Sequence, residues 1–262
     1  NNELLFPNDP ARSDWFAHRG MVQSAFFIQR RLQEDKILER AFHHDPDKGT
    51  QQYKLVLTGH SLGGATAAIL AILLREEYPE LTCYSFSPPS GLLSKNASEY
   101  SKQFVTTIVY GKEFTIRLGI YQMDQMRYDV INLLIQCKLP KWKIVGGICC
   151  CTPSIEDLIC DEQRRSLAEY ERNERTTELK EAAQKPHPFK VIASNIRKPL
   201  YLPGKVHHVV RKHITHNKRK KISYEVIYSD NHIGELLISP AMLVDHMPWK
   251  MKKSLRGLCD HD

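Results

Sequence analysis

The chain has 262 residues and a mass of 30.3 kDa, enough for one large domain with a sizeable core. Hydrophobic residues make up 42% and charged residues 26%, which excludes a disordered chain and a membrane bundle. The longest aliphatic-rich run, residues 65–74, is well short of the roughly 20 residues of a membrane-spanning helix.

The net charge of +7 directs attention to nucleic acid, an anionic membrane surface or an acidic substrate. The cations crowd the C-terminal third, in Lys218, Arg219, Lys220 and Lys221 and again in Lys250, Lys252, Lys253 and Arg256. No zinc-finger spacing, RNP-like motif or heptad accompanies them, which argues against nucleic acid. Residues 1–7 show neither the basic start nor the apolar stretch of a signal peptide, and there is no initiating Met. The chain is therefore expected to be a processed product or an excised piece of a longer protein. Seven cysteines, an odd number, with Cys149, Cys150, Cys151 and Cys160 close together, speak against a disulfide framework and for a reducing compartment.

In chain order, Met21, Ala25, Ile28, Leu32, Leu38, Ala41 and Phe42 recur at helical spacing, predicting one amphipathic helix over residues 21–42. Residues 53–58 form a short apolar run expected of a strand buried on both faces. Residues 62–77 read as a helix closed by Pro79, 81–86 as a strand, 94–102 as a helix and 104–110 as a strand. This alternation predicts an α/β fold with a parallel sheet. Further on, residues 121–137 read as helical, 142–148 as a strand, and 155–184 as a charged insertion poor in large apolar residues. Residues 206–210 and 222–228 suit a strand pair with the basic run as its tip. Residues 236–238 read as another strand, and a final helix follows Pro240.

The segment with chemical content is Gly59-His60-Ser61-Leu62-Gly63, a G-x-S-x-G elbow between the first buried strand and its helix. A serine hydroxyl is a weak nucleophile, so Ser61 needs a histidine to take its proton and an acid to orient that histidine. The chain order in this topology is serine, acid, histidine. Glu113, just past the strand 104–110, is the first candidate for the acid, with Asp124 and Asp129 behind it. His246 is the first candidate for the base. His207, His208, His213 and His216 lack the spacing of metal ligands and read as strand histidines, and His60 as a local packing or hydrogen-bonding group.

His18-Arg19-Gly20-Met21 precedes the elbow, and Tyr84-Ser85-Phe86-Ser87-Pro88-Pro89, Gly91-Leu92-Leu93, Glu99-Tyr100-Ser101-Lys102, Pro140-Lys141-Trp142, Pro199-Leu200-Tyr201 and Ser239-Pro240-Ala241-Met242-Leu243 follow it in order. With these motifs the chain resembles the class 3 lipases, and among them the sn-1-specific diacylglycerol lipases. The resemblance implies an α/β-hydrolase fold and release of the sn-1 fatty acid of diacylglycerol to leave a 2-monoacylglycerol. It also implies a parent held at the plasma membrane with its catalytic domain on the cytoplasmic side. It places the nucleophile on Ser61, the base on His246 and the acid on Glu113, where the family pattern has Asp.

The amide of Leu62 is the expected oxyanion donor. The R-G-T/S segment that supplies a second donor in the family has no counterpart ahead of His18. These two departures raise the alternative of a catalytically defective, lipase-like lipid-binding or scaffold protein. The organisation expected is a core over residues 1–148, a regulatory loop or lid over 149–188, and a C-terminal part over 189–262 that carries the histidine. Palmitoylation at Cys149, Cys150 and Cys151 would tether the loop. Lys218–Lys221 and Lys250–Lys253, the latter beside Trp249 and Met251, suit an anionic lipid surface. The family's calcium dependence finds no ligand cluster in the sequence, and the chemistry itself needs no cofactor.

Overall fold

A computed structural model describes residues 2–119, 123, 126, 127, 130, 131, 200–216, 219–229 and 239–259. The chain divides into two compact units, one of Asn1–Gln122 with Lys198–Asp262 and one of Met123–Arg197. Of the second unit the described residues, Met123, Met126, Arg127, Val130 and Ile131, are helical. The expected strands at 142–148 and 236–238, the insertion at 149–188 with its cysteines, Asp124 and Asp129 all lie outside the described residues.

The first unit is built on a five-stranded sheet in the order β3 (Val56–His60), β4 (Thr82–Phe86), β5 (Val105–Tyr110), β6 (Lys205–His216), β7 (Arg219–Ser229). β3 to β6 run parallel and β7 returns antiparallel to β6. The register brings Gly59 beside Ser85 and Ile108 beside His207. This mainly parallel sheet with helical crossovers is the architecture expected of an α/β-hydrolase. A small antiparallel pair, β1 (Asn2–Leu4) and β2 (Phe16–His18), stands apart from it. β2 is tied in through the bridge of Ala17 to Leu93, and Leu93 in turn bridges Tyr201.

The main crossover is α3 (Leu62–Leu74). Gly64 and every residue from Ala65 to Leu74 are buried, which matches a helix that is apolar all round. α1 (Arg19–Glu34) lays Met21, Val22 and Ala25 against this core. The helix expected over 21–42 is in fact two. Lys36 takes a left-handed conformation (φ 49°), the amides of Asp35 and Lys36 turn back to the carbonyls of Arg31 and Gln33, and α2 (Ile37–Phe42) starts afresh. The apolar spacing continues across the break, so periodicity alone does not mark it. α4 (Lys95–Ser101) links β4 to β5, and the C-terminal region forms α5 (Met242–Asp245) and α6 (Pro248–Cys259).

A second correction concerns β3. Residues 53–58 are not buried on both faces: Tyr53 is 63% exposed and Val56 53% exposed. Among the described residues β3 has a neighbour on one side only, so its apolar run lies at the sheet edge. The core sits instead beneath β4 and β5, where Cys83, Val105 and Val109 are at most 1% exposed. Burial pushes the Cys83 thiol up to about 12. Thiolate is the reactive form, so alkylation of the folded chain at pH 8, mapped by mass spectrometry, is expected to leave Cys83 unmodified while exposed Cys259 reacts.

Candidate active site

Ser61 stands at the junction of β3 and α3 with φ 56° and ψ −124°, a region that residues other than glycine rarely occupy. Such a conformation costs about 1–3 kcal/mol and persists only where the surroundings over-determine it. Here they do. The Ser61 amide donates to the Phe86 carbonyl at 2.8 Å, extending the β3–β4 ladder one residue beyond the strand, while the Ser61 carbonyl accepts from Ala65 as the first bond of α3. The bend is therefore clamped from the sheet and from the helix at once.

The close approach of strand and helix depends on two glycines. A Cβ on Gly59 would lie 2.2 Å from the Gly63 carbonyl oxygen, and one on Gly64 would meet the Gly59 carbonyl and the Ser85 hydroxyl at 3.0 Å. Gly63, the last position of the G-x-S-x-G pattern, faces open space. The tight contact thus falls on Gly59 and on Gly64, one residue past the motif.

Three side chains from separate stretches of sequence converge at this bend. His246, immediately after α5, brings Nε2 to 3.0 Å from the Ser61 hydroxyl. Its Nδ1 lies 2.8 Å from Glu113 Oε2. Glu113 is fully buried, the His246 side chain is 12% exposed, and Ser61 is half-buried, so the polar line runs from the interior to an accessible hydroxyl. The Phe114 ring meets the His246 ring edge-on at 5.7 Å. Thr115 places its hydroxyl 3.1 Å from His246 Nδ1 and 3.4 Å from Glu113 Oε2. Leu62 is the first residue of α3, so its amide has no acceptor within the helix. Chemically, the arrangement can draw a proton from a hydroxyl through an imidazole whose far nitrogen is held by a carboxylate.

The remaining histidines fall elsewhere. His208 Nε2 lies 2.7 Å from the Gly111 carbonyl, and the His207 ring packs edge-on against Tyr228. His213 and His216 sit further along β6, opposite Ile222 and Arg219. His60 carries more than local packing: its Nε2 lies 2.9 Å from the His246 carbonyl oxygen and the two rings are 4.7 Å apart.

Two supporting residues escape a reading of the sequence alone. Thr115 is one, and Asp245 is the other. Asp245 accepts from the Lys112 amide at 2.9 Å, and a Cβ on Gly111 would lie 2.4 Å from the same carboxylate oxygen. Gly111 itself has φ 58° and donates to the Val209 carbonyl. The turn that presents Glu113 is thus pinned by β6, by His208 and by the residue next to His246. The only signal in the sequence was adjacency, an Asp directly before the candidate base and a Gly two before the candidate acid.

Residues 2–117 match the family model described as lipase (class 3). Over 97% of its length the chain is 37% identical to diacylglycerol lipase-alpha of Rattus norvegicus. Residues 2–117, which carry Ser61 and Glu113, are thus similar to the class 3 lipases. The chain is also 45% identical, over 50% of its length, to diacylglycerol lipase-beta of Mus musculus. The chain spans 24% of the length of the rat protein. Among solved structures, Rhizomucor miehei triacylglyceride lipase is 25% identical, with 43% of this chain and 42% of that chain covered at a TM-score of 0.35.

The side chain of Glu113, one methylene longer than that of an aspartate, brings Oε2 within hydrogen-bond reach of His246. Among the described residues no group of three or more His, Cys, Asp or Glu side chains converges as a metal site would.

The glycine geometry gives a direct test. Gly59→Ala drives a Cβ into backbone and is expected to lower stability by about 1–3 kcal/mol or more. Gly63→Ala, in open space near the helix start, is expected to stay within about 1 kcal/mol of the parent. Urea unfolding of the two variants followed by circular dichroism makes the comparison.

Proposed function

We propose that the chain is the catalytic part of a membrane-associated serine lipase that hydrolyses the sn-1 ester of diacylglycerol, leaving a 2-monoacylglycerol and a free fatty acid. What carries the reading is the line from Ser61 Oγ to His246 Nε2 at 3.0 Å and from His246 Nδ1 to Glu113 Oε2 at 2.8 Å. The substrate class is supported by the diacylglycerol lipases to which the chain is similar.

In this reading Ser61 Oγ attacks the ester carbonyl carbon while its proton passes to His246 Nε2. Glu113 holds the Nδ1 proton, fixes the tautomer, and stabilises the imidazolium as it forms. The carbonyl oxygen becomes an oxyanion that accepts a hydrogen bond from the Leu62 amide. Collapse breaks the bond to the glycerol oxygen, which leaves with the proton from His246 as the 2-monoacylglycerol. Water, deprotonated by the same imidazole, then releases the fatty acid from the acyl-enzyme.

The substrate resides in a bilayer, so the partner is a lipid surface, with the plasma membrane as the site of the parent protein. No helix among the described residues is long and apolar enough to cross a membrane, and the reading needs only a catalytic face that reaches one.

A fluorophosphonate probe is expected to label the parent chain and not Ser61→Ala; absence of labelling in the parent overturns the reading. Glu113→Gln keeps the shape and removes the charge, and is expected to lower kcat by roughly 10³–10⁴-fold on a soluble ester. Asp245 acts through the Glu113 turn. Asp245→Ala is expected to lower kcat about tenfold with KM unchanged, while Asp245→Asn, which still presents an oxygen to the Lys112 amide, retains most of the rate. Steady-state kinetics on the pair separates positioning from a loss of fold.

A further inference from the structure

We propose that the outer face of α6, with the apolar residues flanking Ser61 and His246, is the surface by which the chain seats on an anionic lipid bilayer. The proposal deepens the lipase reading and rests on it for the location of the substrate. The orientation of α6 is fixed by its inner face. Met251 is 4% exposed and Ser254 fully buried, and Leu255 and Leu258 pack with Tyr110, Val209 and Tyr224. Gly257 permits this seat, because a Cβ there would come within 2.5 Å of the Tyr224 ring. Met251, expected from the sequence beside the lipid-facing lysines, is therefore core.

What remains outward is Trp249, 62% exposed, together with exposed Lys252, Lys253 and Arg256. Positions 249, 252, 253 and 256 share one helical stripe. The helix contains no Asp or Glu, and none of these three cations pairs with a carboxylate among the described residues. An ordinary solvated helix face looks different. On α1, Arg30 pairs with Glu34 and Arg31 with Asp35.

The residues next in sequence to the active side chains are also apolar and exposed. Leu243 (52%) and Val244 (44%) lie three and two residues before His246, and Leu62 (61%) directly follows Ser61. Cations with a tryptophan form the composition that settles at a headgroup boundary. A nucleic acid would satisfy the lysines and leave Leu62, Leu243 and Val244 without a partner, so the lipid surface is the occupant that uses the whole patch.

The test measures binding without turnover. Ser61→Ala protein is sedimented with vesicles of phosphatidylcholine alone and of phosphatidylcholine with one part in four phosphatidylserine. Binding is expected on the anionic vesicles and to weaken with salt. Lys252→Gln with Lys253→Gln is expected to lower partitioning by about tenfold or more, and Trp249→Ala to weaken it independently. With Ser61 intact, the same substitutions are expected to leave hydrolysis of a soluble short-chain ester unchanged. Equal partitioning of parent and variants overturns the proposal, as does retention on DNA at the same salt with no vesicle binding. Vesicle binding of the predicted kind in a protein that hydrolyses no soluble ester supports the seat and overturns the lipase reading, so the two failures are distinguishable.

Discussion

A carboxylate with no access to water governs this molecule. Glu113 is fully buried, and a charge in that position is tolerated only if it is paired and hydrogen-bonded. One of its oxygens has the His246 ring at 2.8 Å with the Thr115 hydroxyl nearby, while the other has no hydrogen-bond partner among the described groups. The favourable interaction is concentrated on the oxygen that faces the imidazole. Any movement that separates the two leaves a buried carboxyl group without its hydrogen-bond partner, so the fold and the site share one constraint. The orientation of His246, and through it the contact with Ser61, follows from where the buried carboxylate can be satisfied.

The surrounding elements meet that constraint from several directions. β5 is followed directly by Gly111, whose positive φ turns the chain inward to Glu113. β6 holds this turn through the Val209 carbonyl and His208, and Asp245 holds it through Lys112. On the other side, His60 reaches from the elbow to the His246 carbonyl. Residues adjacent in sequence to each member of the line, His60 beside Ser61, Lys112 beside Glu113 and Asp245 beside His246, cross-link the three segments. Such a frame limits the relative drift of groups that have to stay within about 3 Å to transfer a proton.

Much of this was legible before any coordinates. The alternation of apolar runs gave away the parallel sheet, and the elbow pattern with its strand and helix pointed to Ser61. Chain order then led to Glu113 and His246. What was hidden depended on distance in space rather than pattern in sequence. The break at Lys36 leaves the apolar spacing intact, and the exposure of β3 is set by which strands flank it. The decisive glycine at 64 differs from the open one at 63 only through the neighbours each meets. Asp245 and Thr115 look like ordinary polar residues until the turn folds back on them. Met251 alternates with lysines in sequence, and only the packing of α6 on Tyr110 and Tyr224 decides that it faces inward.

The same packing links binding to chemistry. α5 and α6 emerge on either side of His246, so the helix whose inner face fastens the C-terminal segment to β5, β6 and β7 turns its outer face, cationic and bearing Trp249, to solvent. Attraction of that face to an anionic surface acts on a short segment that begins two residues after the imidazole, and Leu62 and Val244, close in sequence to Ser61 and His246, add exposed apolar surface. A diacylglycerol ester lies near the headgroup level because its glycerol is polar and its chains are not. On the proposed reading, a hydroxyl with exposed apolar neighbours and a cationic helix seated at the headgroups would meet that ester without drawing the whole lipid into water. Burial of the acid and exposure at the other end are complementary: Glu113 holds the imidazole from the interior, while Ser61 stays accessible, as the proposed substrate requires.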